Sequence, residues 1–214
     1  MNRELRYTLV GDGRSDIVLL NIINWLLNDL YPKLPTNFAF ADFSNLKNPP
    51  NKSDVERQLK FAELYYPFDI LFYHRDAEIN KRDIIFERKN EVFSKLTLEY
   101  KERVICIVPK IMMETWLLIS EDALKMAAGN RQYSEKIYIP PLGKLENIKY
   151  TKGLLHQELK KINGCKRKFN PYKAAHLVAE YIEDYSPLRN LDAFNEFEKD
   201  LIEKVNIWQK THLV

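Results

Sequence analysis

Two short apolar runs in this chain end abruptly in acidic side chains. The run at residues 7–10 is followed closely by Asp12, and the run at residues 70–73 is followed by Asp76 and Glu78. In a parallel α/β sheet such runs form buried strands, and the residues just past their carboxyl ends line the ligand crevice. Carboxylates from two strand ends therefore predict one acidic pocket, whose oxygen ligands would suit Mg²⁺ or Mn²⁺.

Phosphoryl transfer is the chemistry that such a pocket supports. We expect Asp12, Asp76 and Glu78 to hold one metal ion, which would bind a phosphate oxygen as a Lewis acid. A second ion about 4 Å away would activate the attacking water, and Asp16 and Glu114 are the candidates for holding it. Both residues have a structural alternative, because a carboxylate near a helix start also stabilises the helix as a cap or through the helix dipole.

Three basic side chains near these acids are candidates for binding phosphate. Lys110 follows the fourth apolar run and would stabilise charge on the transferring phosphoryl group, with a solvated surface lysine as the alternative. Arg14 and Arg75 adjoin the acids and would contact phosphates or neutralise unliganded carboxylates. Neither arginine is a candidate general base, because the guanidinium group stays protonated.

The positive charge of the chain is concentrated in one segment. The formal net charge is only +3, but residues 129–173 contain eleven Lys or Arg against three acids, which gives that segment a charge of +8. Neutralising phosphates supplies most non-specific affinity for nucleic acids. We therefore predict nucleic acid as the partner, DNA rather than RNA, with Lys166, Arg167 and Lys168 as contacts. A solvated basic surface is the alternative.

Alternating strand and helix patterns indicate how the chain positions these residues. We predict strands at residues 5–10, 38–43, 69–73 and 103–108, and helices at residues 15–30, 53–66, 81–100 and 113–128. Such alternation favours an α/β fold with a parallel four-stranded sheet, right-handed crossovers and flanking helices.

The pattern changes after Gly129. Helices are predicted at residues 154–162, 171–185 and 191–208, without further strands. We therefore divide the chain into an α/β domain at residues 1–130 and a basic, mostly helical extension at residues 131–214. The extension is expected to pack on the sheet or beside it.

The two acidic motifs resemble those of the Toprim domain, which is shared by type IA and type II topoisomerases, bacterial primases and overcoming-lysogenization-defect (OLD) nucleases. That family has an acidic residue followed by Gly after its first strand, and an Asp-x-Asp motif after a later strand. The segment from Asp12 to Asp16 is similar to the first motif, and the segment from Asp76 to Glu78 is similar to the second. The sequence departs from the pattern at two acids: Asp12 stands for the usual Glu, and Glu78 for the usual Asp.

The resemblance implies a Toprim-like fold over about the first 130 residues and a nuclease that depends on Mg²⁺ or Mn²⁺. The segment at residues 108–116 and the tail are similar to Toprim-like single-domain proteins found near bacterial defence genes, which implies a role in anti-phage defence. Since an uncontrolled nuclease is toxic, we expect a partner such as a separately encoded ATPase or sensor subunit. The altered acids support an alternative, a non-catalytic nucleic-acid-binding or regulatory subunit of Toprim shape. A phosphotransferase or phosphatase acting on small molecules is a third possibility.

Other functional classes are disfavoured by the sequence. The chain lacks room for the additional domains of a topoisomerase or primase, and it contains no Walker A motif. Cys106 and Cys165 are far apart, so neither a disulfide framework nor a zinc site is expected. We expect His74 to pack or to bond the backbone, and the other three histidines have no partners at ligand spacing. The absence of a signal peptide and of a membrane-spanning apolar stretch predicts a cytoplasmic protein.

Overall fold

The apolar segments predicted as strands form one sheet in the computed structural model, which describes residues 3–212. They are β1 (Leu5–Val10), β2 (Thr36–Phe40), β3 (Ile70–His74) and β4 (Val104–Ile107). The strands lie in the order β2-β1-β3-β4, and each neighbouring pair is parallel. The predicted α/β fold with a parallel four-stranded sheet is therefore confirmed.

The central strand β3 fixes where the predicted acids can lie. All five of its residues are buried, as expected for an almost entirely apolar strand with neighbours on both sides. Val10 of β1 pairs with Tyr73 of β3, and His74 of β3 pairs with Ile107 of β4. The segments that follow β1, β3 and β4 therefore leave the sheet side by side, at its carboxyl edge.

Helices connect the strands and make up the C-terminal part of the described chain. They are α1 (Leu19–Leu30), α2 (Val55–Tyr65), α3 (Ile84–Phe93), α4 (Leu98–Arg103), α5 (Glu121–Ala127), α6 (Leu142–Leu145), α7 (Thr151–Ile162), α8 (Pro171–Tyr181) and α9 (Asp192–His212). Short 3₁₀ turns precede three of the helices, at Arg14–Val18, Met113–Leu117 and Ser186–Asn190.

Side chains alternate between the two faces of the sheet, and each face has its own apolar core. Leu9 and Phe72 face a core shared with α1, α5, α7, α8 and α9. Leu71 and Tyr73 face a second core shared with α2 and α3. The helices after residue 131 thus bury apolar side chains in the same core as the sheet.

Two predicted helices are interrupted in the structure. The helix predicted at residues 81–100 is divided into α3 and α4 by a turn at residues 94–97, which places Leu96 in the second core. The helix predicted at residues 113–128 begins as a 3₁₀ turn and restarts at α5, where the Ser120 side chain accepts a hydrogen bond from the Ala123 backbone. Serine is a favoured helix cap because its oxygen satisfies an unpaired amide of the first turn.

No helix within residues 3–212 has both the length and the apolar character needed to cross a lipid bilayer.

Candidate functional site

Three of the predicted acids meet in one cavity at the carboxyl edge of the sheet. Asp12 follows β1, Asp76 and Glu78 follow β3, and all three line a cavity of about 290 Å³. The other residues lining this cavity are polar or basic: Lys52, Ser53, Arg75, Arg88 and Lys95. We refer to this space as the acidic cavity.

The turn after β1 depends on a glycine that lets a fourth acid approach. A Cβ atom placed on Gly11 would lie 2.7 Å from Cβ of Asp16 and 2.8 Å from its Oδ2. Any larger residue at this position would push the Asp16 side chain away. The Asp16 carboxylate also accepts a hydrogen bond from the Gly13 backbone at 3.1 Å. Asp16 is therefore held beneath the turn, and it does not line the acidic cavity.

A buried histidine joins Asp16 to the cavity. The His74 side chain is only 1% exposed, with Nδ1 at 2.9 Å from Oδ2 of Asp16 and Nε2 at 3.2 Å from Oδ1 of Asp76. Burial alone would lower the pKa of His74, but the hydrogen bonds to the two carboxylates outweigh burial and raise the pKa to about 10. At neutral pH both ring nitrogens therefore carry protons, and each donates to one carboxylate.

His74 does not have the packing or backbone-bonding role expected from the sequence. Residues two apart on an extended strand lie on the same side, so the spacing of His74 and Asp76 was a signal that they could meet. The second partner, Asp16, lies 58 positions earlier in the chain. That contact depends on the sheet register and on the turn at Gly11.

The Asp76 carboxylate is fixed from two sides while it lines the cavity. Its Oδ1 atom, which faces His74, also lies 2.8 Å from the Met113 backbone nitrogen, which donates a hydrogen bond to it. Met113 opens the 3₁₀ turn after β4, so this contact joins the segments that follow β3 and β4. Two donors on one oxygen hold the carboxylate in a single orientation.

Glu78 is held by strained backbone. Its φ angle is +64°, and its backbone nitrogen donates to the carbonyl of Ile111 at 2.9 Å. Ile111 itself has a φ of +65°, which is a rare conformation for a β-branched residue. Backbone strain of this kind is commonly found where a functional loop is held in one shape.

Burial and neighbouring charges shift the pKa values of Asp12 and Asp16 in opposite directions. Burial raises the pKa of the Asp12 carboxyl, and the nearby carboxylates of Asp16 and Asp76 raise it further, whereas His74 opposes them. For Asp16, burial would also raise the pKa, but the hydrogen bond and charge of His74 together with the backbone amides of Asp12 and Gly13 outweigh it, and the pKa lies below its usual value. A cation in the cavity would offset the mutual repulsion of these acids.

Basic side chains form the opposite wall of the acidic cavity. The guanidinium of Arg75 lies 3.3 Å from Glu91, and that of Arg88 lies 2.8 Å from the same carboxylate. Lys52 comes from the loop before α2, and Lys95 from the turn between α3 and α4. Of these four basic residues, only Arg75 was predicted, because Lys52 and Lys95 come from loops and Arg88 from α3, none of them in a recognisable motif.

Two predicted catalytic residues lie outside the acidic cavity and are paired elsewhere. The Lys110 ammonium lies 3.0 Å from Glu146 and 2.7 Å from Asp192, and it lines a separate cavity between α3 and α9. Glu114 is buried, with its carboxylate 2.9 Å from the Lys152 ammonium.

The predicted nucleic-acid contacts are also dispersed. Arg14 donates to Asp42 at 2.8 Å and to Ser44 at 2.6 Å, and so ties the turn after β1 to the loop after β2. The residues at 166–168 are exposed in the turn between α7 and α8 and do not line the acidic cavity. The structure therefore brings together Asp12, Asp76, Glu78 and Arg75 from the predicted set.

The donors in the acidic cavity fit Mg²⁺ or Mn²⁺ by their chemistry. Asp12, Asp76 and Glu78 supply carboxylate oxygens, which hard divalent cations prefer. Within residues 3–212 no three His, Cys, Asp or Glu side chains are close enough to form a complete ligand set. Mg²⁺ commonly retains several waters and is bound by one or two carboxylates together with a substrate phosphate, so a complete protein cage is not required.

Comparisons with known proteins give no match: no protein-family model fits the chain, and neither the curated proteins nor the solved structures include a significant relative. The resemblance to Toprim proteins therefore rests on the two short acidic motifs.

Proposed function

We propose that the protein is a metal-dependent nuclease of Toprim type, located in the cytoplasm, whose active site is the acidic cavity. One observation carries this proposal: three carboxylates and four basic side chains line the same cavity at the carboxyl edge of a parallel sheet. The carboxylates suit a divalent cation and the basic wall suits a phosphate. Metal-assisted hydrolysis of a phosphodiester uses both features together.

Each group in the cavity has a role in this reaction. One or two of the carboxylates of Asp12, Asp76 and Glu78, together with water and the substrate phosphate, would hold Mg²⁺ or Mn²⁺, which when bound supplies Lewis acidity and lowers the pKa of water. Arg75 binds the phosphate oxygens and stabilises the charge that develops on them, and Lys52 and Lys95 bind the substrate. His74 and the Met113 amide hold Asp76 in the orientation that the site needs.

The direct test is cleavage of supercoiled plasmid, single-stranded DNA and single-stranded RNA in Mg²⁺, Mn²⁺ or EDTA. Asp76→Asn keeps the shape of the side chain and removes its charge, so we expect cleavage to fall by about 100-fold or more. Asp122→Asn, at an exposed acid in the first turn of α5, is the matched control and should cleave like the wild type. Equal cleavage by the two variants would refute the assignment of the active site.

The second candidate is a non-catalytic nucleic-acid-binding or regulatory subunit. It is favoured by the lack of a complete set of metal ligands within residues 3–212 and by the engagement of Asp76 with His74. It predicts binding of nucleic acid without cleavage in any metal. In that case Asp76→Asn should leave binding unchanged or strengthen it, because a negative charge is removed.

A role in anti-phage defence, with a separately encoded ATPase or sensor subunit as partner, is the biological context that we propose for either activity. Its support is the similarity of residues 108–116 and of the tail to proteins found near bacterial defence genes. Co-purification of such a subunit with the tagged full-length chain from its native host would test it.

A further inference from the structure

Helix α7 begins in contact with the 3₁₀ turn that holds Asp76. The hydroxyl of Thr151, the first residue of α7, lies 3.1 Å from the hydroxyl of Thr115 in the 3₁₀ turn after β4. The next residue, Lys152, pairs with Glu114 in the same turn. That turn also includes Met113, whose amide holds Asp76. The start of α7 is therefore directly connected to the candidate site.

One side of α7 is buried, and the adjacent side carries the half-buried Lys152 and His156 and the exposed Lys160. Leu155, Leu159 and Ile162 lie in the main core. Lys152, His156 and Lys160 recur every four residues and so follow one another along a single side of the helix. At about 1.5 Å per residue this row extends about 12 Å from the cavity end of the helix. Beyond its end lies the exposed turn at 166–168, with three more basic residues.

Two exposed tyrosines lie among these basic side chains. Tyr150 is 71% exposed, and its ring covers Gly153, where a Cβ atom would overlap the ring. Tyr172 is 63% exposed, and its ring centroid lies 4.4 Å from that of His156. Single exposed aromatic residues are ordinary on protein surfaces, but here two of them accompany a row with two lysines, and the first, Lys152, contacts the turn that holds Asp76.

We propose that the side of α7 with Lys152 and Lys160, together with Tyr150 and Tyr172, binds single-stranded nucleic acid and leads the strand into the acidic cavity. Proteins that bind single strands without sequence preference combine a basic path for the backbone with aromatic rings on which the bases stack. In a duplex the bases are paired and cannot stack on exposed tyrosines. This inference rests on the proposed function and specifies its substrate as single-stranded.

Binding in EDTA tests the inference without requiring cleavage. Fluorescence anisotropy with a labelled twelve-residue oligothymidylate measures the Kd of the full-length protein, and an unlabelled mixed-sequence duplex of equal length serves as competitor. Tyr172→Ala should weaken binding about tenfold, which is typical for the loss of one stacked base. Tyr65→Ala, at a 51% exposed tyrosine of α2, is the matched control and should bind like the wild type.

A second pair of variants tests the lysines of this row. Lys160→Ala should weaken binding and reduce the slope of log affinity against log salt by about 0.7, the value for one phosphate contact on a single strand. Lys199→Ala, at an exposed lysine of α9, should leave the slope unchanged. Circular dichroism verifies that each variant is folded.

Three results would overturn the inference: no binding of the oligonucleotide by the wild type, equal Kd values for Tyr172→Ala and Tyr65→Ala, or tighter binding of the duplex than of the single strand. These results are distinguishable from failure of the proposed function. Strand binding that depends on Tyr172, without cleavage in Mg²⁺ or Mn²⁺, would support the α7 surface and refute the nuclease.

Discussion

Replacing His74 with leucine should lower the free energy of unfolding. The size of the loss should depend mainly on Asp16, whose carboxylate would stay buried. The imidazole lies between two carboxylates, but these differ in their surroundings. Asp76 is 32% exposed in its side chain and keeps the Met113 amide as a donor. Asp16 is 8% exposed in its side chain, and its carboxylate would keep only uncharged donors, among them the Gly13 amide and the Ser15 hydroxyl. The variant therefore leaves a buried carboxylate without its cationic partner.

The size of the effect follows from the removal of one member of a buried ion pair. Such a change costs about 3–5 kcal/mol, because the remaining charge is buried without compensation. For a chain of this length each kcal/mol lowers Tm by about 2–4 °C, so His74→Leu should lower it by roughly 6–20 °C. Urea denaturation in EDTA, followed by circular dichroism, measures the free energy of unfolding without any contribution from a bound metal.

A double-mutant cycle isolates the ion pair from the loss of packing. The double variant Asp16→Asn, His74→Leu also removes the Asp16 carboxylate that the single variant leaves unpaired. Its loss in free energy of unfolding should therefore be smaller than the sum of the two single losses by about 1 kcal/mol or more. His176→Leu, at a half-buried histidine of α8, is the control for the change of side chain. Two results would refute a stabilising ion pair between His74 and Asp16: additive losses in the double variant, or a His74→Leu variant within about 1 kcal/mol of the wild type.

Three further predictions concern stability and binding. Burial would raise the pKa of Asp69, but hydrogen bonds from Arg6 outweigh it and the pKa lies below its usual value of 3.8. This carboxylate therefore stabilises the fold above that pH, and its contribution is lost as the pH falls through the lowered pKa. The free energy of unfolding should fall less on acidification in Asp69→Asn than in the wild type. Gly11→Ala should cost about 1–3 kcal/mol in urea denaturation because its Cβ would overlap a neighbouring side chain, whereas Gly143→Ala, with open space around it, should be neutral. Lys95→Ala should raise KM for a polynucleotide several-fold with kcat nearly unchanged, and the reverse pattern would contradict its role in binding.

The sheet and the main acids of the site could be predicted from the sequence because both follow from local patterns. The apolar runs identify the strands, and parallel strands end at the same edge, so Asp12 and Asp76 had to lie near each other. The boundaries were less predictable. The turn that separates α3 from α4 forms because Leu96 packs in the second core, which is a tertiary contact that helical periodicity does not include.

The partners of the predicted side chains could not be obtained from local patterns. Lys110 is paired with Asp192, which lies 82 positions later on the last helix. Glu114 is paired with Lys152 at the start of α7, in the part of the chain predicted only as a helical extension. Lys52 and Lys95 reach the cavity from loops on the α2 and α3 side of the sheet. Each of these contacts depends on how the helices pack, and a motif of a few residues carries no information about that.

The arrangement of charge around the acidic cavity favours a polymeric substrate over a small phosphate ester. A small ester needs only the carboxylates and the basic wall, all of which lie within a cavity of about 290 Å³. The row of Lys152, His156 and Lys160 on α7 lies outside that cavity. Its first residue, Lys152, pairs with Glu114 in the turn that holds Asp76. The exposed Lys160 and the exposed basic residues at 166–168 would contact a polymeric substrate but not a small ester in the cavity, which supports the nuclease proposal over a phosphatase acting on small molecules.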